Sequence, residues 1–258
     1  TSDNTELHPW GSVYFTPGQK SNYRREARTL NAEYAANFRA NLSPELESST
    51  WFGVQAYRRS IGFHLAHGER FVGPGLFTVA VSGLHRGEED RLETRHVGVF
   101  VEEQLGWRDR LFVRVGGRVD GHSAFGPDAR FRFYPKAGAS YMLSEHDFPP
   151  DAIGTLRVRA ALGYAGRKPE DFIAGRTWIP VDAVGSVGVT TGNIGNRALG
   201  PEVTRELEAG LDAGLFGDRI GLELTGYSQR TTGALFPIEY PPSLGFIVPQ
   251  LENVGTIV

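Results

Sequence analysis

The sequence predicts an all-β fold: an antiparallel meander of long strands that forms part of a transmembrane β-barrel. Three observations carry this. Apolar residues alternate with polar or small ones over long runs, the runs come in pairs joined by tight turns, and short turns alternate along the chain with long loops rich in glycine and proline. The clearest pair lies between Gly195 and Leu235. Successive side chains on a strand point to opposite faces. The first arm therefore puts Val203, Arg205, Leu207, Ala209, Leu211, Ala213 and Leu215 on one face and Thr204, Glu206, Glu208, Gly210, Asp212 and Gly214 on the other. Phe216-Gly217-Asp218-Arg219 turns. The second arm sets Ile220, Leu222, Leu224 and Gly226 against Gly221, Glu223, Thr225, Tyr227 and Gln229. Strands of soluble proteins run to about 5–6 residues, whereas a tilted strand needs about 9–11 to cross a bilayer. These arms are long enough to cross.

Composition is compatible with such a wall and excludes several other classes. Mean hydropathy is −0.28, as expected where apolar-out alternates with polar-in, and no run approaches the ~18 apolar residues of a membrane helix. The chain has no cysteine, which removes disulfides, zinc thiolates and thiol nucleophiles. A net charge of −3 offers no basic field for nucleic acid. The chain opens without an initiator Met, a basic lead or an apolar signal core, and closes inside an apolar alternation at LENVGTIV. Both ends read as cut, so the expectation is a piece of a longer protein.

Taken in order, residues 1–26 are polar, lack a period and read as an irregular lead-in. From Thr29 to Leu42 the series Leu30, Ala32, Tyr34, Ala36, Phe38, Ala40 and Leu42 alternates with Asn31, Glu33, Asn37, Arg39 and Asn41. Ala and Glu favour helix, but the strict period of two decides for a strand. Ser43-Pro44-Glu45-Leu46 is a turn, and a second strand runs from about Ser49 to Phe63. Residues 64–90 read as a long loop with a short apolar piece at Leu76–Val81. Residues 91–122 form a hairpin. Val97, Val99, Val101, Glu103, Leu105 and Trp107 alternate with His96, Gly98, Phe100, Glu102 and Gln104. Past the turn at Trp107-Arg108-Asp109-Arg110, Leu111, Val113, Val115, Gly117 and Val119 alternate with Phe112, Arg114, Gly116, Arg118 and Asp120. Trp107 beside the turn suits an interfacial aromatic girdle.

A third hairpin covers 130–165, interrupted by a linker rich in Pro and Asp. Pro135 inside it predicts a bulge or a strand portion above the membrane. Residues 166–200 and 236–250 read as further long loops, and a last strand begins at Leu251. The short turns at 43–48, 107–110 and 216–219 fall on one side and the long loops at 64–90, 166–200 and 236–250 on the other, the layout of an outer-membrane barrel.

Little in the sequence supports catalysis. Glu102 and Glu103 are adjacent on a strand and point apart, so they cannot form the opposed pair a glycosidase needs. Glu103 falls on the nominal lipid face, a costly place at mid-bilayer, and is expected near an interface or within reach of a neighbouring subunit. His64 and His67 lack a third nearby ligand for a metal. The run GSVGVTTGNIG at 185–195 lacks the ending of a phosphate loop and reads as a flexible loop. Ser12, Ser60 and Ser123 have no nucleophile-elbow context. No cofactor is expected.

The charges of interest lie on the polar faces of the strands. Arg114, Arg118, Asp120, Arg157, Arg159, Glu206, Glu208, Asp212 and Glu223 are the candidate lumen-facing residues, with Glu33, Arg39, Arg132 and Lys136 in the same set. Their mixed signs fit a hydrated wall whose charges pair across strands, or a ladder that docks a plug and lines a transport path.

Several segments carry a resemblance. GNRALGPE followed by ELEAGLDAGLF and DRIGLELTGYSQRTT (195–232) resembles the late barrel region of TonB-dependent outer-membrane receptors of the SusC/RagA-like group. So do the R-x-DG-x-S-x-FG pattern of Arg118, Asp120, Gly121, Ser123, Phe125 and Gly126, the run LRVRAALGYAGRKP, and LENVGTI near the end. The resemblance covers Thr29 to Val258. It implies that residues 1–258 belong to a single receptor barrel of about 22 strands, a type that needs around twice this length. It further implies nutrient uptake (oligosaccharide, peptide or siderophore) across the outer membrane of a Gram-negative bacterium. The partners implied are the protein's own plug domain, the TonB energy-coupling complex, membrane lipid and a SusD-like surface lipoprotein. The plug, the TonB-contacting box and the terminal aromatic strand of the family pattern are not in this sequence. Two other readings stand beside it: a passive porin-like or adhesin-like barrel, and a secreted glycan-binding β-sandwich, which would need short strands and two sheets with apolar inner faces.

Overall fold

The computed structural model describes residues 1–9, 17–145, 153–171, 173–183, 186–246 and 248–258. Ser12 lies outside them, as does most of the Pro- and Asp-rich linker. The described strands are β1 (Ser2–His8), β2 (Gln19–Ser43), β3 (Leu46–Phe71), β4 (Ser82–Trp107), β5 (Leu111–His122), β6 (Phe131–Met142), β7 (Ile153–Arg167), β8 (Trp178–Ala183), β9 (Ser186–Thr191), β10 (Glu202–Leu215), β11 (Ile220–Ile238) and β12 (Gln250–Ile257). Ten of them make one sheet in the order β1-β2-β3-β4-β5-β6-β7-β10-β11-β12, and β8 pairs with β9 alone. The order follows the chain, with the β8–β9 hairpin set into the β7–β10 connection. β1 and β12 stand at its two ends, so the sheet is an open meander.

The predicted hairpins are present in the predicted register. Leu215 pairs with Ile220 and Val203 with Thr232, and Trp107 pairs with Leu111 and His96 with His122. The tight turns use left-handed backbone at Arg108, Asp109, Phe216, Gly217 and Asp218. At the first of them Glu45 accepts both the Arg108 backbone N–H (2.7 Å) and its Nη2 (2.7 Å), which ties the β2–β3 and β4–β5 turns together.

Several boundaries differ from the sequence reading. The polar lead-in contains β1 and the start of β2, which is 25 residues long. β3 and β4 are each 26 residues long, so the supposed loop at 64–90 shrinks to 72–81. The supposed loop at 166–200 holds β8 and β9, and most of the glycine-rich run read as flexible is β9. Away from the lipid band both faces of these strands are polar, as in GEEDRLETRH of β4, and an apolar period of two disappears although the ladder continues. Pro135 makes no bulge: the β5–β6 ladder passes it in register opposite Gly117. The β6–β7 ladder begins only at Lys136, so the missing N–H costs no bond on that side.

Two compact units are distinguished, each described by itself. The first comprises Thr1–Asn31 and Tyr57–Arg95. Phe71 is its buried anchor, edge-on to Phe77 at 6.3 Å, and Ser21 is bonded to His67 Nδ1 at 2.7 Å. The other His67 nitrogen meets Glu69 at 2.9 Å, so this ring is occupied by hydrogen bonds. Arg58 and Arg95 both bond Glu93 and hold its carboxyl down to about 2. Glu93 lies fourteen residues along β4 from Trp107, beyond the 9–11 that cross a bilayer. Its ordinary pKa is 4.5. A lowered carboxylate contributes stability above the unfolded value and loses it as pH falls through the folded one. In the full-length receptor, Glu93→Gln is therefore expected to raise hydrogen exchange in the 57–95 segment at pH 7. That difference should fade between about pH 4.5 and 2.

The second unit comprises Ala32–Ala56 and His96–Val258. Its wall has no conventional core. The apolar face is uncovered: Phe38 is 62% exposed, Val101 55% and Leu224 55%. Tyr34, Phe38 and Phe52 cluster on that face, the last two rings stacked at 5.9 Å. A single sheet with an open apolar face is not a β-sandwich, whose apolar faces meet each other. The buried side chains of this unit gather instead at the end away from the short turns, where Ala124, Phe125, Ala129, Leu199 and Phe246 pack between loops.

Candidate functional site: a charged wall

Register places every candidate lumen residue on the same face. Arg114 lies opposite Gln104, Arg118 opposite Phe100 and Asp120 opposite Gly98. Arg157 lies opposite Asp212, Ala161 opposite Glu208 and Gly163 opposite Glu206. Asp212 in turn lies opposite Glu223. The charges gather into three groups.

The first is centred on Arg159 of β7. Its guanidinium meets Glu208 at 2.5 Å, Glu223 at 3.0 Å and Asp212 at 3.5 Å, and donates to Thr225 Oγ1 at 2.6 Å. Arg157, two residues away on the same face, takes the other oxygen of Asp212 at 2.6 Å. Arg159 reaches from β7 across β10 to β11 because Gly210 stands opposite it. A Cβ at Gly210 would sit 2.7 Å from Arg159 Nε. Gly210→Val is therefore expected to dislodge the guanidinium and lower the Tm of the full-length receptor. Gly226→Val is the control, because a Cβ there meets nothing within 4 Å.

The second group surrounds Glu102, which is buried between Arg114 at 3.2 Å and Lys136. Arg114 also donates to Gln104 Oε1 and lies over the Trp51 ring at 5.9 Å. In the third group Arg118 grips Asp120 at 2.6 and 2.8 Å and donates to Gln55 Oε1 at 2.6 Å, and Gln55 donates to Glu33 at 2.8 Å. His96 meets Asp120 at 3.0 Å. A Cβ at Gly98 would overlap both Arg118 and Asp120. Glycine on the paired strand is thus what opens room for the charge in both the Arg159 and the Arg118 groups. Glu206 and Glu208 wall one side of a groove of about 430 Å³, floored by Gly138, Ala161 and Gly163 and closed on the far side by Arg114 and Lys136.

Sequence reasoning put these charges together on one face, as the register does, but did not find Gln55, Thr225 or Trp51 as their partners. Gln55 and Trp51 share the polar alternation of β3, the one available signal. Glu103 is the converse case. It lies on the apolar face, as expected, and its carboxylate accepts hydroxyl bonds from Ser48 and Thr50 of β3, both at 2.5 Å. No neighbouring subunit is needed to satisfy it. Removing both hydroxyls strands a carboxylate on that face, which costs more than removing all three groups together. Ser48→Ala/Thr50→Ala is therefore expected to lower Tm more than the same pair combined with Glu103→Leu.

An uncovered apolar face backed by a mixed-sign polar face is the cross-section of a membrane β-barrel wall. The family model described as TonB dependent receptor-like, beta-barrel matches residues 2–258. The chain belongs to this family. TonB-dependent receptor barrels reside in the outer membrane of Gram-negative bacteria, and so does this one. Among curated relatives it is 30% identical over 160 residues to TonB-dependent receptor P26 of Formosa agariphila, covering 58% of this chain and 16% of that protein. It is 27% identical over 172 residues to TonB-dependent receptor P3 of the same organism, covering 64% and 17%. The chain thus spans about a sixth of the length of the curated receptors it matches. Its fold is similar to the RagAB peptide transporter, with a TM-score of 0.87 at 18% identity, covering 98% of this chain and 29% of that one. It is also similar to the RagAB peptide importer in the closed-closed state, with a TM-score of 0.85 at 17% identity and coverage of 98% and 29%. In a TonB-dependent receptor barrel of this kind the uncovered Val101, Leu222 and Leu224 have lipid as their natural solvent.

Proposed function

We propose that residues 1–258 are part of the single barrel domain of a TonB-dependent transporter that imports a polar nutrient, an oligosaccharide, peptide or siderophore. The observation that carries the reading is the charged face itself. Arg114, Arg118, Asp120, Arg157, Arg159, Glu206, Glu208, Asp212 and Glu223 are the residues we assign to the barrel lumen. Arginines and carboxylates held in cross-strand groups leave a wall that is polar yet nearly neutral, suited to a hydrated path and to a plug domain seated against it. The barrel would act as the conduit, without catalysing a reaction. Energy would come through the TonB complex by way of parts of the receptor outside this chain. The RagAB neighbours are named for peptide transport, which supports peptides as one solute class, and a SusD-like surface lipoprotein is the partner that the SusC/RagA-like resemblance implies.

The test uses the full-length receptor in a Gram-negative host. A closed barrel migrates as a compact species until boiled, so the outer-membrane fraction is expected to show a heat-dependent gel shift. Uptake of the solute by these cells is expected to stop when TonB is deleted. Uptake that persists without TonB would replace this reading with a passive pore, and a soluble product without the shift would overturn the membrane assignment.

A further inference from the structure

The packed loops of the second unit, at the end of the sheet away from the short turns, hold a cavity that the charged wall does not use. Four connections build it. The Gly126 N–H donates to Leu199 O at 2.7 Å, Asp128 N–H to Arg197 O at 3.0 Å and Asn196 N–H to Ala174 O at 3.0 Å. Asn193 Nδ2 clamps Ile173 O and Gly175 O. A Cβ at Gly126 would collide with the Arg197 carbonyl, so the two loops meet at glycine distance. Beneath them Leu199 is fully buried. The cavity between these loops measures about 560 Å³, with apolar walls from Phe125, Pro127 and Ile194 and two guanidinium groups, Arg176 and Arg197, on its rim. None of its lining residues is acidic.

Arg176 is held without being neutralised. Its Nε donates to Ile194 O at 3.1 Å, and its guanidinium lies over the Phe246 ring at 5.6 Å. Among the described residues no carboxylate reaches it, whereas Arg157 and Arg118 are each gripped by one and Arg159 by three. Arg197 touches only Asp128, at 3.3 Å, and is 75% exposed at its side chain. A held guanidinium with no acidic partner, Arg176, and a second on the same lining, Arg197, whose one acidic contact is the exposed Asp128, stand beside an apolar pocket and match a planar anion attached to an organic body. Because the loops are already bonded together, little ordering is needed on binding.

We propose that this cavity binds a carboxylate-bearing solute, with Arg176 and Arg197 gripping the carboxylate and Phe125, Pro127 and Ile194 covering its carbon skeleton. The proposal deepens the transport reading and rests on it for its purpose, but the binding step itself needs no energy coupling. An acidic sugar and an acidic peptide share the required chemistry.

The experiment is equilibrium binding to the full-length receptor in detergent, using an oligogalacturonate and an oligoglutamate, each against an uncharged counterpart. One or both acids are expected to bind, the uncharged counterparts to bind at least about tenfold more weakly, and Arg176→Gln to weaken the acid by about tenfold or more. Arg176→Gln/Arg197→Gln weakens it further. Arg176→Lys keeps the charge but not the fork, so it should fall between parent and Gln. It decides the matter if the Gln variants lose the heat-dependent gel shift. An adverse result is a parent that prefers neither acid, or an Arg176 variant that keeps the shift and binds as tightly as the parent. Arginine-dependent binding without TonB-dependent uptake would count against the transport reading alone.

Discussion

Val101→Arg is expected to destabilise the receptor by about 2–4 kcal/mol, the cost of a cation facing lipid at the bilayer midplane. Val101 pairs with Gly117 and points to the uncovered apolar face. It lies six residues from Trp107 at the short turn, about 20 Å along a strand and about 15 Å in depth once barrel tilt is included. That depth is close to the middle of an apolar band about 25 Å tall. Tyr227→Arg makes the matched comparison. Tyr227 lies at a similar distance from its own turn but on the polar face, opposite Glu208, so the same cation enters a hydrated wall already carrying acids. Denaturant unfolding of the full-length receptor, followed by the heat-shifted gel band, should show a large loss for Val101→Arg and under about 1 kcal/mol for Tyr227→Arg. Equal losses would mean that the two faces do not see different solvents.

Leu199→Ala is expected to remove about 2–5 kcal/mol, the usual cost of truncating a fully buried leucine, but from a different part of the molecule. Leu199 is 0% exposed, and its carbonyl accepts the Gly126 N–H that joins the 122–129 and 193–201 loops. The barrel wall does not depend on this packing, because its strands are held by their own ladders and its apolar face is turned outward. The loss should therefore be local. Hydrogen exchange should rise in the two loops while β4 to β7 keep their protection, and the gel shift should survive. Acid binding at Arg176 and Arg197 should weaken with it, since Arg197 hangs from one of these loops and the Arg176 Nε is bonded to Ile194 O of the same loop. A uniform rise in exchange across the strands would show instead that the loop core supports the whole wall.

Much of this was legible in the chain because a strand has a period of two and a wall between lipid and water has two unlike faces. Wherever both conditions hold, as in Val203–Leu215 or Val97–Trp107, apolar alternation identifies the strand, its two unlike faces and its register at the turn. The side assignment of Arg159, Asp212 and Glu223 follows from parity alone. The reading failed where the second condition lapses. In Gln19–Glu26 and Ser82–Asp90 both faces meet water, no apolar period exists, and ladders that continue for many more residues looked like a lead-in and a loop. β1 was missed for the same reason, whereas β8 and β9 alternate but are only six residues each in a stretch rich in Gly and Pro.

The sequence by itself determined what kind of element each lipid-crossing segment is and which of its side chains share the polar face. Local periodicity fixes both, independently of which strands become neighbours. Only the tertiary structure decided which charge meets which. Arg159 reaches two strands away because Gly210 leaves room, Gln55 links Glu33 to Arg118, and Ser48 and Thr50 satisfy a carboxylate on the apolar face. It likewise placed the packed core in the loops, around Leu199 and Phe125, and set Arg176, which no described carboxylate reaches, and Arg197, which meets only Asp128, on the lining of one cavity. Those arrangements depend on contacts between residues far apart in the chain, where alternation carries no information and the size of a single opposing side chain settles the geometry.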